Sequence, residues 1–73
     1  MREIQITGET IRLGQLLKLA GIVDSGSEVK HLLAERPALV NGEPETRRGR
    51  QLHVGDVVAA GDEQVRIAAG AQG

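Results

Sequence analysis

The chain has 73 residues, no cysteine, no Phe, Tyr or Trp, two histidines and a formal net charge of −1. That length holds one domain at most, with a small core built from Leu, Ile, Val and Ala. It excludes disulfides, thiolate metal sites and thiol nucleophiles, and no apolar run approaches the roughly 20 residues needed to span a bilayer.

Taken in chain order, Ile4 and Ile6 alternate with Glu3, Gln5 and Thr7, a period of two that predicts a short strand over 3–7 ended by Gly8. Thr10 is placed to cap a helix over 11–20, in which Leu13, Leu16, Leu17 and Ala20 form one apolar stripe. Gly14 weakens that helix by roughly 1 kcal/mol relative to Ala, and Gly21 stands where a C-terminal cap is wanted. Ser25-Gly26-Ser27-Glu28 has capping-box spacing, with Ser25 as the N-cap of a second helix whose stripe is Val29, Leu32 and Leu33. Lys30, His31 and Glu35 fall off that stripe, and Pro37 stops the helix. Ala38-Leu39-Val40 reads as a strand leading into Asn41-Gly42, a two-residue turn that suits positive φ at both positions. Leu52-His53-Val54 predicts a further strand and Gly55-Asp56 a turn. Val57-Val58 and Val65-Arg66-Ile67 are expected to pair around Gly61-Asp62. Residues 68–73 are expected to fray. The fold class is α+β: two packed helices on a small twisted, mainly antiparallel sheet. A single domain over 1–73 is expected. Met1 to Ile6 is not a signal peptide, so the expected location is the cytoplasm.

Charge is unevenly spread. From Arg12 to Arg50 seven bases meet five acids, whereas the rest of the chain holds two bases and five acids. One basic face follows if the fold gathers that segment. Arg47-Arg48-Gly49-Arg50 is its densest cluster. Guanidiniums grip phosphate oxygens bidentately, and Gly49 lets the backbone turn or approach closely. The bland alternative is a solvated loop pairing with Glu43 and Glu45. Lys18 and Lys30 lie off their stripes, as ordinary surface lysines do. Ser25-Gly26 opens a helix whose free N–H groups make an anion site as readily as a plain cap.

Enzymatic constellations are poor. His31 and His53 are the only histidines, Ser25 and His31 lie six residues apart, and no phosphate loop ending in Lys-Ser or Lys-Thr is present. No set of catalytic roles is filled. No metal, cofactor or small-molecule ligand is expected. The missing aromatics also discriminate, because single-stranded nucleic acid is usually bound by stacking bases on aromatic rings. A nucleic-acid partner here is expected to be a structured RNA, held through phosphate and sugar.

Four segments, taken together and in order, resemble the S-four RNA-binding domain, built on the alpha-L motif and named for small-subunit ribosomal protein four. They are Ile11-Arg12-Leu13-Gly14-Gln15-Leu16-Leu17-Lys18, Ser25-Gly26-x-x-x-Lys30, Val40-Asn41-Gly42, and Arg47-Arg48-Gly49-Arg50-x-Leu52-x-x-Gly55-Asp56-x-Val58. The chain is similar to the small bacterial subgroup in which that domain stands alone, with the core motif over 11–58. One departure is Arg36-Pro37-Ala38, where the family usually has Gly and a β-branched strand residue. The resemblance implies a non-catalytic protein that grips structured RNA, ribosomal RNA included, on a basic face. It implies Lys18, Ser25, Gly26, Lys30, Asn41, Thr46, Arg47, Arg48 and Arg50 as RNA contacts. A protein-interaction adaptor that uses the same fold as a charged docking surface is the alternative.

Overall fold

The structure is a computed structural model and describes residues 1–70. Nine elements follow in order: β1 (Arg2–Ile6), β2 (Thr10–Arg12), α1 (Leu13–Leu19), α2 (Gly26–Glu35), β3 (Ala38–Val40), β4 (Glu43–Glu45), β5 (Gln51–His53), β6 (Val57–Ala60) and β7 (Glu63–Ala69). Five strands form one sheet in the order β1-β7-β6-β3-β4, and β2 pairs with β5 in a separate ribbon. Every pairing is antiparallel except β1 with β7, which runs parallel. The result is the expected α+β arrangement.

The apolar stripes set how the helices sit. Leu13, Leu16 and Leu17 of α1 and Val29 and Leu33 of α2 are buried in one cluster with Val40, Val58, Val65 and Ile67 of the sheet and Leu52 of the ribbon. Leu32 is partly buried and packs against that cluster. Val40 pairs with Val58 and Val58 with Val65, so a row of fully packed valines crosses three strands. With no aromatic ring to fill space, this interlocking of branched side chains supplies the core.

Of the three predicted turns, Asn41-Gly42 and Gly61-Asp62 close hairpins, while the third is shifted by one residue, the Asp56 N–H donating to the His53 carbonyl at 3.0 Å around Val54-Gly55. Val40 pairs with Glu43 across a two-residue loop in which Asn41 has φ 52° and Gly42 φ 86°, as a type I′ turn demands. Ala60 pairs with Glu63 around Gly61-Asp62. Pro44 is tolerated in β4 because β4 is an edge strand. Pro37 acts as expected: α2 stops at Glu35, and Arg36 is extended at φ −156°, ψ 127°.

Three other expectations change. Thr10 does not cap α1. It pairs with His53 in the ribbon, and Arg12 occupies the N-cap position instead. Ile11 and Leu52 face each other across that ribbon, which draws residues 10–12 out of the helix. Glu28 reaches back, but its carboxylate accepts from the Asp24 N–H at 3.2 Å, while Ser25 Oγ accepts from the Glu28 N–H at 3.4 Å. Fraying does not begin at 68: Ala68 and Ala69 pair with Gln5 and Ile6, and the Gly70 N–H donates to the Ile6 carbonyl. The remainder of that stretch, 71–73, lies outside the described residues.

Candidate nucleic-acid interface

The segment 46–50 joins β4 to β5 and lies across the start of α1. The Arg50 N–H donates to the Arg47 carbonyl at 3.2 Å, closing a turn whose two central residues are Arg48 and Gly49. The carbonyls of that turn are then spent on the helix. The Leu13 N–H donates to the Arg50 carbonyl and the Gly14 N–H to the Arg48 carbonyl, each at 2.9 Å. Two of the amide donors that a helix start leaves without intrahelical partners are thus satisfied by the loop. Gly14 is explained by the same contact. A Cβ there would meet the Arg48 carbonyl oxygen at 3.4 Å, Arg48 Cβ at 3.5 Å and Val29 Cγ1 at 3.5 Å. A methyl there would be in van der Waals contact with the loop and α2. Gly49 is not at positive φ, and a Cβ on it meets nothing within 4 Å, so the turn does not require glycine there.

Glu45 holds the loop from the other side. It is the last residue of β4, pairs with the buried Ala38, and is itself only 7% exposed. Its carboxylate accepts from Arg47 Nε at 3.0 Å, Arg47 NH2 at 3.1 Å, the Arg47 backbone N–H at 3.0 Å and Arg50 NH1 at 2.9 Å. The hydrogen bonds from the Arg47 guanidinium, then from its backbone N–H, then from Arg50, hold the Glu45 carboxyl well below the usual carboxylate range. The same contact raises the Arg47 guanidinium. Two of the three loop arginines are therefore committed to an internal acid.

Arg48 is different. It is exposed, and among the described residues it takes part in none of the ion pairs. It borders two shallow clefts. One, of about 420 Å³, is lined by Lys30, Leu33, Ala34, Thr46 and Arg48. The other, of about 290 Å³, is lined by Arg12, Gly14, Gln15, Lys18, Gly26, Val29, Arg48 and Gly49. Four basic side chains from β2, α1, α2 and the loop therefore border two depressions that share Arg48, and neither lining contains an acid. Lys18, Lys30, Gly26, Thr46 and Arg48 are brought together as expected. Arg12 joins them although the sequence reading did not select it. Its signal was its place in the motif, one residue before the stripe of α1.

Ser25 serves as the N-cap of α2 beside this surface and also contacts Ser27 Oγ at 3.2 Å. Asn41 is not gathered into either cleft. Its side chain donates to Asp56 Oδ1 at 3.0 Å and accepts from the Val57 N–H at 2.9 Å, which ties the hairpin turn to β6. Burial pushes the Asp56 carboxyl up. The His53 N–H, the Asn41 amide and the charges of His53 and Arg50 outweigh that and hold it below its ordinary value.

Comparison with known proteins shows the family of the chain. A family model described as the S4 domain matches residues 4–68. The probable ribosome maturation protein RlbA of Bacillus subtilis (strain 168) is similar at 56% identity over 55 residues, which span 75% of this chain and 78% of that protein. Among the described residues no helix is long and apolar enough to cross a membrane. The chain belongs to the S4 domain family.

Proposed function

We propose that this protein is a non-catalytic, cytoplasmic RNA-binding module. It holds structured RNA through phosphate contacts on the face formed by Arg12, Lys18, Lys30, Thr46 and Arg48, beside the first turn of α2 at Gly26. The observation that carries the reading is the placing of unpaired Arg48 between two clefts lined by bases from three other elements. Arginine and lysine at such spacing suit phosphate oxygens, and the first-turn N–H groups of α2 add donors of the same sense. The absence of aromatic rings favours backbone contact with a shaped target over base stacking. A relative named for ribosome maturation points to ribosomal RNA as the target class.

The test is the salt dependence of binding to a panel of structured ribosomal RNA fragments, with single strands of equal length as controls. Affinity is expected to fall log-linearly with salt. Arg48→Ala is expected to weaken binding and reduce the slope by about one unit, the share of one phosphate contact. Lys18→Ala and Lys30→Ala are expected to act in the same direction. A wild-type protein that binds none of these RNAs near physiological salt overturns the reading and leaves the adaptor alternative, in which the same charged face docks on a protein.

A further inference from the structure

Of the three arginines in the loop, two bond to one acid, which is buried and lines neither cleft but lies next to the basic surface in sequence and structure. A carboxylate in such a place opposes RNA binding by simple charge. The geometry gives it another task. Glu45 is buried and takes four hydrogen bonds, three from Arg47 and one from Arg50, the residues that flank the Arg48-Gly49 turn on both sides. The carbonyls of Arg48 and Arg50 are in turn fixed on α1 by the Gly14 and Leu13 N–H groups. The loop is held between a carboxylate on β4 and a helix start, and the side chain left without an ion pair is Arg48.

We propose that Glu45 is a positioning residue for RNA binding: it clamps Arg47 and Arg50 so that the turn between them presents Arg48 at the junction of the two clefts. This rests on the RNA-binding reading and adds to it a division of labour among the arginines. Arg48 contacts the ligand, while Arg47 and Arg50 chiefly hold the loop. A preorganised donor loses less conformational freedom on binding, so a clamp that costs a negative charge still raises affinity.

The experiment compares Glu45→Gln with Glu43→Gln. Both remove one negative charge from β4, and Glu43 is exposed and lies outside the binding surface. On charge alone both variants bind structured RNA at least as tightly as the wild type. Positioning instead requires Glu45→Gln to bind about tenfold more weakly, the order of one charged hydrogen bond, and Glu43→Gln to bind no more weakly. The salt slope of Glu45→Gln is also expected to fall by about one unit, as in Arg48→Ala. A protein that is merely less folded binds less but keeps the wild-type slope. A second measurement needs no RNA. Amide hydrogen exchange at Leu13 and Gly14 is expected to accelerate by up to about tenfold in Glu45→Gln relative to core amides, because their acceptors lie on the released loop. If Glu45→Gln does not fold, Arg50→Gln makes the same exchange measurement while leaving Glu45 its three bonds from Arg47. Wild-type affinity and slope in a folded Glu45→Gln protein overturn the positioning role. So does unchanged protection at both amides. Failure of the RNA-binding reading looks different: the wild type itself binds no structured RNA, while the exchange result stands.

Discussion

Among the described residues there are two sets of arginine–glutamate contacts, one at the loop and one along the β1–β7 edge of the sheet. At the edge, Arg66 NH2 meets Glu3 Oε2 at 2.6 Å and Arg2 NH1 meets Glu63 Oε1 at 3.3 Å, with all four side chains about half exposed. At the loop, Glu45 has a side chain only 8% exposed and faces two arginines, at 3.0 and 2.9 Å. The shortest of these four contacts is thus an exposed one, so distance does not separate the sets. Burial of the acid does. An exposed pair exchanges water for a partner at little gain, whereas a buried carboxylate without its donors loses both. The loop contacts can therefore dictate conformation, and the edge contacts decorate strands whose register the backbone already fixes.

The largest way to break this contrast is to remove the floor beneath the loop region. Leu33 is 4% exposed and lines the cleft that holds Lys30, Thr46 and Arg48. Leu33→Ala is expected to cost about 2–5 kcal/mol, read as a lowered urea midpoint with unchanged m-value. An unchanged midpoint would place that side chain outside the core. A smaller break comes through the hairpin. The Asn41-Gly42 turn sets the register in which Glu45 lies opposite Ala38. Gly42 sits at φ 86°, where a β-branched residue is strained. Gly42→Val is expected to cost about 1–3 kcal/mol and to weaken RNA binding through the displaced clamp. A variant of wild-type stability would mean the turn carries no such strain.

Much of this was legible in the sequence because its causes are local. Positive φ at Asn41-Gly42, the Pro37 stop and the stripes of both helices depend on residues a few positions apart. The loop acid was legible only as one of two options, solvated pairing or phosphate binding. Glu43 and Glu45 share one face of β4, each opposite a buried residue of β3, yet only Glu45 is buried, where the loop arginines bond to it. Sequence alternation in Glu43-Pro44-Glu45 puts both acids on one face and cannot tell which of them the loop covers. Nor did it show that Arg47 and Arg50 are bound to the protein itself, so they are not interchangeable with Arg48 as surface charges. The β2–β5 ribbon was missed because its pairing spans some forty residues of chain, and Thr10 next to a helical stripe resembles a cap. Gly14 read only as a weak helix former until the loop came to lie against it.

Acid sharpens the contrast further. The Glu45 carboxyl is depressed from its ordinary 4.5 by the Arg47 and Arg50 donors. A depressed acid contributes stability that is fully present above its unfolded value and is lost as pH falls through the folded one. The wild-type urea midpoint is therefore expected to decline progressively on acidification below 4.5. Glu45→Gln has no such proton to take up and should follow a flatter profile, the residual slope coming from groups such as Asp56, also depressed. Equal slopes in the wild type and Glu45→Gln would show that the clamp is not linked to folding.

The smallest expected effect lies at the sheet edge, and it tests the premise of the comparison. A double-mutant cycle on Glu3 and Arg66, each changed to Ala, isolates their coupling from other effects of the two side chains. Both side chains are more than half exposed. The coupling is expected to be at most about 1 kcal/mol and to shrink as salt is added, since solvent and ions screen exposed charges. The 2.6 Å separation makes this a demanding case, because the geometry favours the pair as much as an exposed pair can be favoured. A coupling of about 2 kcal/mol or more that persists in high salt would mean that exposure does not separate the two sets. In the RNA assay the same site supplies a control for Arg48. Arg66 lies on β7 and lines neither cleft. Arg66→Ala should leave the salt slope unchanged while Arg48→Ala lowers it by about one unit. Equal losses from both would mean that RNA responds to total charge, and the loop would then have no special place in binding.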